Sequence, residues 1–125
     1  MNDLKNKNIK LPVSAPFHCS LMIKATKIMI EELNKISFSD GSNKLISNVT
    51  AEVISNSKDL KLLLIKQIEN RVRWRESVLN MINNEVNHFI EIGPGKVLSG
   101  LVKRISREVK INTINSQEDI ENLKI

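Results

Sequence analysis

One histidine, His18, is the side chain in this sequence best suited to acid–base chemistry. It follows a stretch punctuated by Pro12 and Pro16 and precedes a helical pattern that begins after Ser20. Each proline fixes its own φ and disfavours a helical residue before it, so residues 11–17 are predicted to form a strand and then a stiff loop. A rigid junction of this kind can aim an imidazole, which accepts and returns protons near neutral pH. A histidine held for purely structural reasons is the alternative.

A second polar residue, Gln67, interrupts an apolar helical face. The pattern predicts a helix from Lys58 to about Glu69, with Ser57 as its N-cap. Burying an unpaired amide on such a face costs about 1–3 kcal/mol, so the Gln67 side chain needs a partner. That partner is either the backbone of a neighbouring loop or a functional side chain. The apolar stripe that Gln67 shares consists of Leu60, Leu63, Leu64 and Ile68.

Three other features of the sequence are weaker candidates for a functional site. The turn Gly93-Pro94-Gly95 between a strand and a helix lacks the third glycine of a dinucleotide fingerprint. Cys19 is the only thiol, which excludes a disulfide framework and a cysteine-rich zinc site. His88 opens a predicted strand and has no ligand-like spacing to His18, so no metal site is expected.

Helical and extended patterns alternate along the chain, which is typical of an α/β fold with a parallel sheet and crossover helices. The sequence Ser116-Gln117-Glu118-Asp119 resembles a capping box that opens a last short helix. Helices are predicted over residues 22–36, 58–69, 74–83 and 96–106, and strands over residues 45–49, 88–92 and 110–114.

Composition limits the classes of partner. The chain has 125 residues, 41% hydrophobic content, one cysteine and a net charge of +5, which suits a globular domain that contacts anions. No apolar stretch has the length of a membrane span, and residues 1–10 lack the apolar core of a secretory signal, so a cytoplasmic location is expected. Trp74 lies among Arg71, Arg73 and Arg75, but no nucleic-acid-binding motif accompanies them, and a solvated rim around the tryptophan is favoured.

Four segments in order carry a specific resemblance. The chain resembles the bacterial malonyl-CoA:acyl carrier protein transacylases of fatty-acid synthesis; polyketide synthase acyltransferase domains fit more loosely. The segments are Leu11-Pro12-Val13-Ser14-Ala15-Pro16-Phe17-His18-Cys19, Ile46-Ser47-Asn48-Val49-Thr50-Ala51-Glu52, Val72-Arg73-Trp74 with Glu76-Ser77-Val78, and Glu91-Ile92-Gly93-Pro94-Gly95-Lys96-Val97-Leu98 with Gly100-Leu101-Val102-Lys103-Arg104-Ile105.

The resemblance implies a fold and a division of the chain. The family has an α/β-hydrolase-like acyltransferase subdomain with parallel strands and flanking helices, into which a small ferredoxin-like subdomain is inserted. Residues 1–10 would correspond to the end of the inserted subdomain. Residues 11–125 would form the C-terminal part of the large subdomain.

The resemblance also implies roles for individual residues. His18 matches the family's catalytic histidine, the general base that activates a serine for attack on the malonyl thioester. Gln67 matches the position whose backbone carbonyl accepts the other ring N–H. In the polyketide synthase acyltransferase domains a Phe before the histidine goes with malonyl and a Ser with methylmalonyl, so Phe17 is expected to bind the substrate and to favour malonyl. No cofactor is implied; the substrate is malonyl-CoA, and the acceptor is the phosphopantetheine thiol of acyl carrier protein.

The sequence departs from the family in one decisive respect. The family's nucleophilic serine lies in a Gly-His-Ser-Leu-Gly elbow, and no such segment occurs in these 125 residues. We therefore expect a C-terminal fragment of a malonyltransferase that is inactive alone, that exposes apolar helix stripes, and that needs a separate N-terminal half. The alternative is a non-catalytic interaction module that binds an acidic partner such as acyl carrier protein. The residues expected to bind that partner are Arg71, Arg73, Lys103 and Arg104.

Overall fold

The computed structural model describes residues 15–123, which form a mixed fold of helices and short strands. Residues 1–10 and the predicted extended residues 11–14 lie outside the described part of the chain. After a single 3-10 turn at Ser20–Met22, the elements in chain order are α1 (Ile23–Asn34), β1 (Leu45–Ile46), β2 (Val53–Ile54), α2 (Ser57–Lys66), α3 (Trp74–Asn83), β3 (His88–Ile92), α4 (Val97–Ile105), β4 (Lys110–Ile114) and α5 (Gln117–Glu121).

A parallel strand–helix–strand unit forms the C-terminal half of the described fold. Strands β3 and β4 pair in parallel, in a register that places His88 opposite Lys110 and Ile92 opposite Ile114. Helix α4 makes the crossover between them and packs against both strands and against α3. The predicted parallel pairing with flanking helices is therefore confirmed.

A short antiparallel hairpin, by contrast, has no counterpart in the prediction. Strand β1 ends at Ile46 instead of continuing to Val49, and it pairs with β2 through Leu45–Ile54 and Ile46–Val53. The six residues 47–52 turn the chain between the two strands. The single strand predicted over residues 45–49 is therefore wrong beyond Ile46, because its polar residues hydrogen-bond within a turn.

Side-chain caps fix the starts of three helices. Asn56, not the predicted Ser57, is the N-cap of α2: its Oδ1 accepts the Asp59 N–H at 2.9 Å. The Glu91 carboxylate accepts the N–H groups of Leu98 and Ser99 at 3.0 and 2.7 Å and so satisfies the first turn of α4. The capping box predicted at the start of α5 is confirmed, with Ser116 and Asp119 bonding reciprocally.

The apolar core of the described residues is small. Large apolar side chains are exposed instead, notably Leu21 (74%), Ile92 (78%) and Val97 (72%). The predicted exposure of apolar helix stripes is confirmed on α1, where Ile28 and Met29 face solvent. The same prediction for the helix over 58–69 is wrong, because Leu60, Leu63 and Leu64 are half-buried. None of the helices within residues 15–123 is long and apolar enough to cross a membrane. The buried apolar residues are Ala51, Val78, Val102 and Ile114.

Candidate active site

His18 lies in a tight turn immediately before the first helical residues. The Phe17 N–H donates to the Ala15 carbonyl at 2.9 Å, so the part of the predicted loop that is described is a tight turn. His18 itself has φ +59°, in the left-handed region that non-glycine residues rarely adopt. Cys19 is extended again and caps the 3-10 turn through its carbonyl, which accepts the Met22 N–H. The local chain reversal directs the imidazole away from its own helix.

The His18 ring is held by a carbonyl group 49 residues away in sequence. Its Nδ1 atom lies 2.7 Å from the backbone oxygen of Gln67. A carbonyl oxygen only accepts hydrogen bonds, so Nδ1 must carry the ring proton. In the neutral ring Nε2 is then an unprotonated base. The side chain is exposed, and no group within residues 15–123 hydrogen-bonds to Nε2.

Gln67 lies at the end of α2 and accepts hydrogen bonds through both its backbone carbonyl and its side-chain amide oxygen. It is the C-cap residue of that helix, with φ −63°, and its backbone carbonyl accepts from His18. Its side-chain Oε1 accepts from Asn48 Nδ2 at 2.9 Å. The side-chain amide therefore bonds the side chain of a loop residue and not a loop backbone, and Gln67 contacts the candidate catalytic side chain through its own backbone carbonyl.

Asn48 is the functional neighbour that the sequence analysis missed. It lies in the turn after β1, within a segment predicted to be a strand, and nothing in its local pattern distinguishes it from a surface turn residue. The signal that points to it is indirect: an amide on an apolar helix stripe requires a polar partner, and an asparagine can supply one.

Helix α2, which ends at Gln67, is also anchored at its start. The Ser57 N–H donates to Asp40 Oδ1 at 2.7 Å, alongside the Asn56 cap. This backbone hydrogen bond stabilises the ionised carboxylate and holds the pKa of Asp40 below its ordinary value. The helix that delivers the acceptor carbonyl is thus fixed at both ends by side chains from the preceding segments.

Phe17 is adjacent to His18 and 59% exposed. More than half of its surface is therefore open to solvent beside the candidate base. Its substrate-binding role stays a prediction.

The four basic residues expected to bind a partner fall into two places. Arg71 is exposed, 3.5 Å from Glu76, whereas Arg73 is half-buried and donates to the Thr50 carbonyl at 2.9 Å. Lys103 and Arg104 are exposed in the last turn of α4, beside Arg107. Arg73 is therefore committed to contacts within the chain, while the α4 pair is free to face a partner. Their role in binding stays a prediction.

The described residues contain no candidate metal site. Within residues 15–123 no group of three or more His, Cys, Asp or Glu side chains is placed to hold a metal ion. The candidate site consists of the His18 imidazole, the Gln67 carbonyl and Asn48, which bonds the Gln67 side chain.

Comparison with solved structures gives the class of protein. The fold matches an acyl-carrier-protein-S-malonyltransferase from Bartonella henselae with a TM-score of 0.83 and 41% identity, over 90% of this chain and 36% of that one. It also matches a malonyl-transacylase solved in complex with a type II PKS acyl-carrier protein, with a TM-score of 0.81 and 32% identity, over 90% of this chain and 36% of that one. No protein-family model matches the chain. The chain therefore shares the fold of part of these two solved acyltransferases.

Sequence comparison gives the particular relatives. The malonyl CoA-acyl carrier protein transacylase of Bacillus subtilis (strain 168) is 44% identical over 113 residues, which are 90% of this chain and 36% of that protein. The chain is therefore homologous to the malonyl CoA-acyl carrier protein transacylases, and it spans about 36% of the length of the curated relatives it matches. That span is consistent with a C-terminal portion of such a protein.

Proposed function

We propose that this chain supplies the general-base half of a malonyl-CoA:acyl carrier protein malonyltransferase and is inactive without a polypeptide that carries the nucleophilic serine. The observation that carries the proposal is the His18–Gln67 contact: the ring donates from Nδ1 to a fixed carbonyl at 2.7 Å and leaves Nε2 unbonded on an exposed side chain. A carboxylate does the same work in a full catalytic triad.

The chemistry assigns His18 two proton transfers in each half-reaction. Nε2 removes the proton of the serine hydroxyl as its oxygen attacks the malonyl thioester carbonyl, forming a malonyl ester. The coenzyme A thiolate leaves and takes that proton from the imidazolium. In the second half-reaction Nε2 deprotonates the phosphopantetheine thiol of acyl carrier protein, whose sulfur attacks the ester, and the proton returns to the serine oxygen.

The exposed apolar surface supports the need for a second polypeptide. Leu21 flanks the His18 turn, and Ile92 ends β3, which has a strand partner on only one edge within the described residues. An unpaired strand edge and large exposed apolar side chains favour association with a complementary chain. The same surface would be covered if the remainder of a transacylase packed against it.

Complementation tests the proposal. The full chain is mixed with the part of the Bacillus subtilis relative that it does not align with, and malonyl transfer from malonyl-CoA to acyl carrier protein is measured. We expect transfer only in the mixture, and we expect His18→Ala to lower its rate by about 10²–10⁴-fold, the usual contribution of a general base.

His88 provides the matched control. It is the other histidine of the chain, half-buried in β3 with Nε2 2.8 Å from Asn112 Oδ1. His88→Gln keeps an amide able to bond Asn112 and should leave the transfer rate within about twofold, since it lies outside the proposed chemistry. Transfer that survives His18→Ala, or no transfer from two polypeptides that demonstrably associate, would reject the proposal.

A non-catalytic binding module is the second candidate function. The observation that favours it is the exposed basic cluster of Lys103, Arg104 and Arg107 at the end of α4. Such a cluster attracts an acidic partner through long-range electrostatics that salt screens. Acyl carrier protein is the partner proposed, as it is for the enzyme half.

Binding measurements distinguish a specific α4 site from general basicity. The affinity of the chain for acyl carrier protein should fall by about tenfold or more in Lys103→Ala/Arg104→Ala and should weaken as salt rises. Lys58→Ala, at the exposed start of α2, is the control and should change affinity little. Equal losses in both variants would assign the binding to net charge alone.

A further inference from the structure

The six-residue connection between β1 and β2 is fixed by hydrogen bonds within it. The Ser47 side chain is buried, and its Oγ accepts the N–H groups of Val49 and Thr50 at 3.1 and 3.3 Å. The Ala51 N–H donates to the Ser47 carbonyl at 2.9 Å, and Ala51 is itself buried with φ +62°. Its internal hydrogen bonds leave residues 47–51 little freedom to change shape.

Helix α3 holds the same turn from outside. Asn80 Nδ2 donates to the Ala51 carbonyl at 2.8 Å, and Arg73 Nη1 donates to the Thr50 carbonyl at 2.9 Å. Two carbonyls of the turn are thereby bonded by side chains of α3 and of its N-cap residue. Asn48 therefore lies in a turn whose position relative to α3 is fixed.

Asn48 spans both ends of the irregular segment between α2 and α3. Its side-chain Nδ2 donates to Gln67 Oε1 at 2.9 Å, and its backbone carbonyl accepts the Arg73 N–H at 2.8 Å. The intervening segment 68–72 contains no strand and no α-helix. One residue thus ties the last turn of α2 to the first turn of α3.

This arrangement matters because the Gln67 carbonyl lies where helices are least ordered. The last four carbonyls of a helix have no intrahelical donor, and helix ends fray. The contact with His18 depends on one such carbonyl. The hydrogen bond from the Asn48 side chain, whose turn is held against α3, therefore restrains Gln67.

We propose that Asn48 is a positioning residue: by holding the Gln67 side chain, it fixes the Gln67 carbonyl, and through that carbonyl the tautomer and orientation of His18. The proposal rests on the proposed function for its catalytic meaning, but its structural content concerns this chain alone. Asn48 takes no part in proton transfer.

The test reads the His18 ring directly and needs no activity. In the full 125-residue chain, ¹⁵N chemical shifts of the neutral imidazole report which ring nitrogen carries the proton. We expect Asn48→Ala to shift His18 from the Nδ1–H form towards a mixture, changing the ratio of the two tautomers by about three- to tenfold, the equivalent of one net hydrogen bond. Asn48→Asp should rescue the signal, because the Gln67 amide can rotate and donate to the carboxylate.

Two comparisons separate positioning from a general loss of stability. Asn56→Ala removes the N-cap at the opposite end of α2 and should leave the His18 tautomer unchanged. Gln67→Met keeps the backbone carbonyl but removes the side-chain acceptor, so it should reproduce Asn48→Ala, and the double variant should show no further change.

The outcomes are decisive in both directions. An unchanged His18 tautomer ratio in folded Asn48→Ala or Gln67→Met overturns the proposal, and so does an equal change in Asn56→Ala. Should the tautomer respond as expected while the complemented mixture transfers no malonyl groups, the proposed function fails and the positioning role stands.

Discussion

The His18 ring and the Gln67 carbonyl, 49 residues apart in sequence, meet at 2.7 Å on the exposed side of the fold. A turn with a left-handed residue brings the ring to this place, and the end of α2 brings the carbonyl. Since the oxygen can only accept, the contact determines which nitrogen is left as the base. The predictions below test the surroundings of this pair.

Phe17 should act on the choice of acyl group. The family resemblance links phenylalanine at this position to malonyl and serine to methylmalonyl groups, and the exposed ring adjoins His18. In the complemented enzyme, Phe17→Ser should change the ratio of kcat/KM for malonyl-CoA over methylmalonyl-CoA by about 10-fold or more in favour of methylmalonyl, the usual scale for one methyl group in a pocket. Phe38→Ser, which removes a ring that lies beneath Lys61 Nζ, is the control. An unchanged ratio in Phe17→Ser would remove this residue from the site.

The small core should make the chain sensitive to a single buried valine. Val78 on α3 is fully buried, whereas Val97 on α4 is 72% exposed. Val78→Ala should lower the free energy of unfolding by about 1–3 kcal/mol, and Val97→Ala should change it by less than about 0.5 kcal/mol. Urea titration of both variants checks the difference. Equal effects would mean that the packing around α3 does not hold the fold together.

Acid should weaken the anchoring of α2 through Asp40. Its pKa is held below the ordinary aspartate value of 3.8 by the Ser57 backbone N–H. A depressed carboxyl pKa adds stability that is fully present above the ordinary value and is lost as the pH falls through the folded value. The stability difference between wild type and Asp40→Asn should therefore shrink between about pH 5 and pH 2.

Urea unfolding as a function of pH measures this effect. Glu31→Gln, an exposed acidic site on α1, is the matched control and should parallel the wild type across the range. A stability difference for Asp40→Asn that stays constant down to about pH 2 would show that the Ser57 contact is not formed in solution.

The exposed apolar residues should make the isolated chain self-associate. Ile92 is 78% exposed at the end of β3, beside an edge that no described strand covers. Sedimentation velocity should show a weight-average mass that rises with concentration, and Ile92→Lys should weaken that rise. Lys58→Glu, a polar exchange on α2, should not. A monomer that melts cooperatively at every concentration would contradict this expectation.

Elements with strong periodicity could be predicted from the sequence. The bounds of α3, β3 and β4 agree with the prediction, and the capping box at Ser116 is where its motif placed it. Each of these elements carries a local pattern long enough to define its type, whether apolar spacing or a four-residue capping motif.

The rest depended on contacts between distant segments. Strands β1 and β2 have two residues each, too short for alternation to be seen, and the turn between them is set by Ser47 and by side chains of α3. Ser57 satisfies the N-cap preference as well as Asn56 does, and only the structure separates them. The link between Asn48 and Gln67 spans 19 residues and leaves no periodic trace.

The direct test of the central claim is the protonation pattern of the two histidines in the neutral form, read from ¹⁵N chemical shifts of the full chain. His18 donates to a carbonyl from Nδ1, whereas His88 places Nε2 2.8 Å from an amide oxygen of Asn112. We therefore predict opposite tautomers in one spectrum: Nδ1–H for His18 and Nε2–H for His88. An Nε2–H tautomer at His18 would put the proton on the nitrogen that is proposed to accept from the serine hydroxyl and would contradict the account.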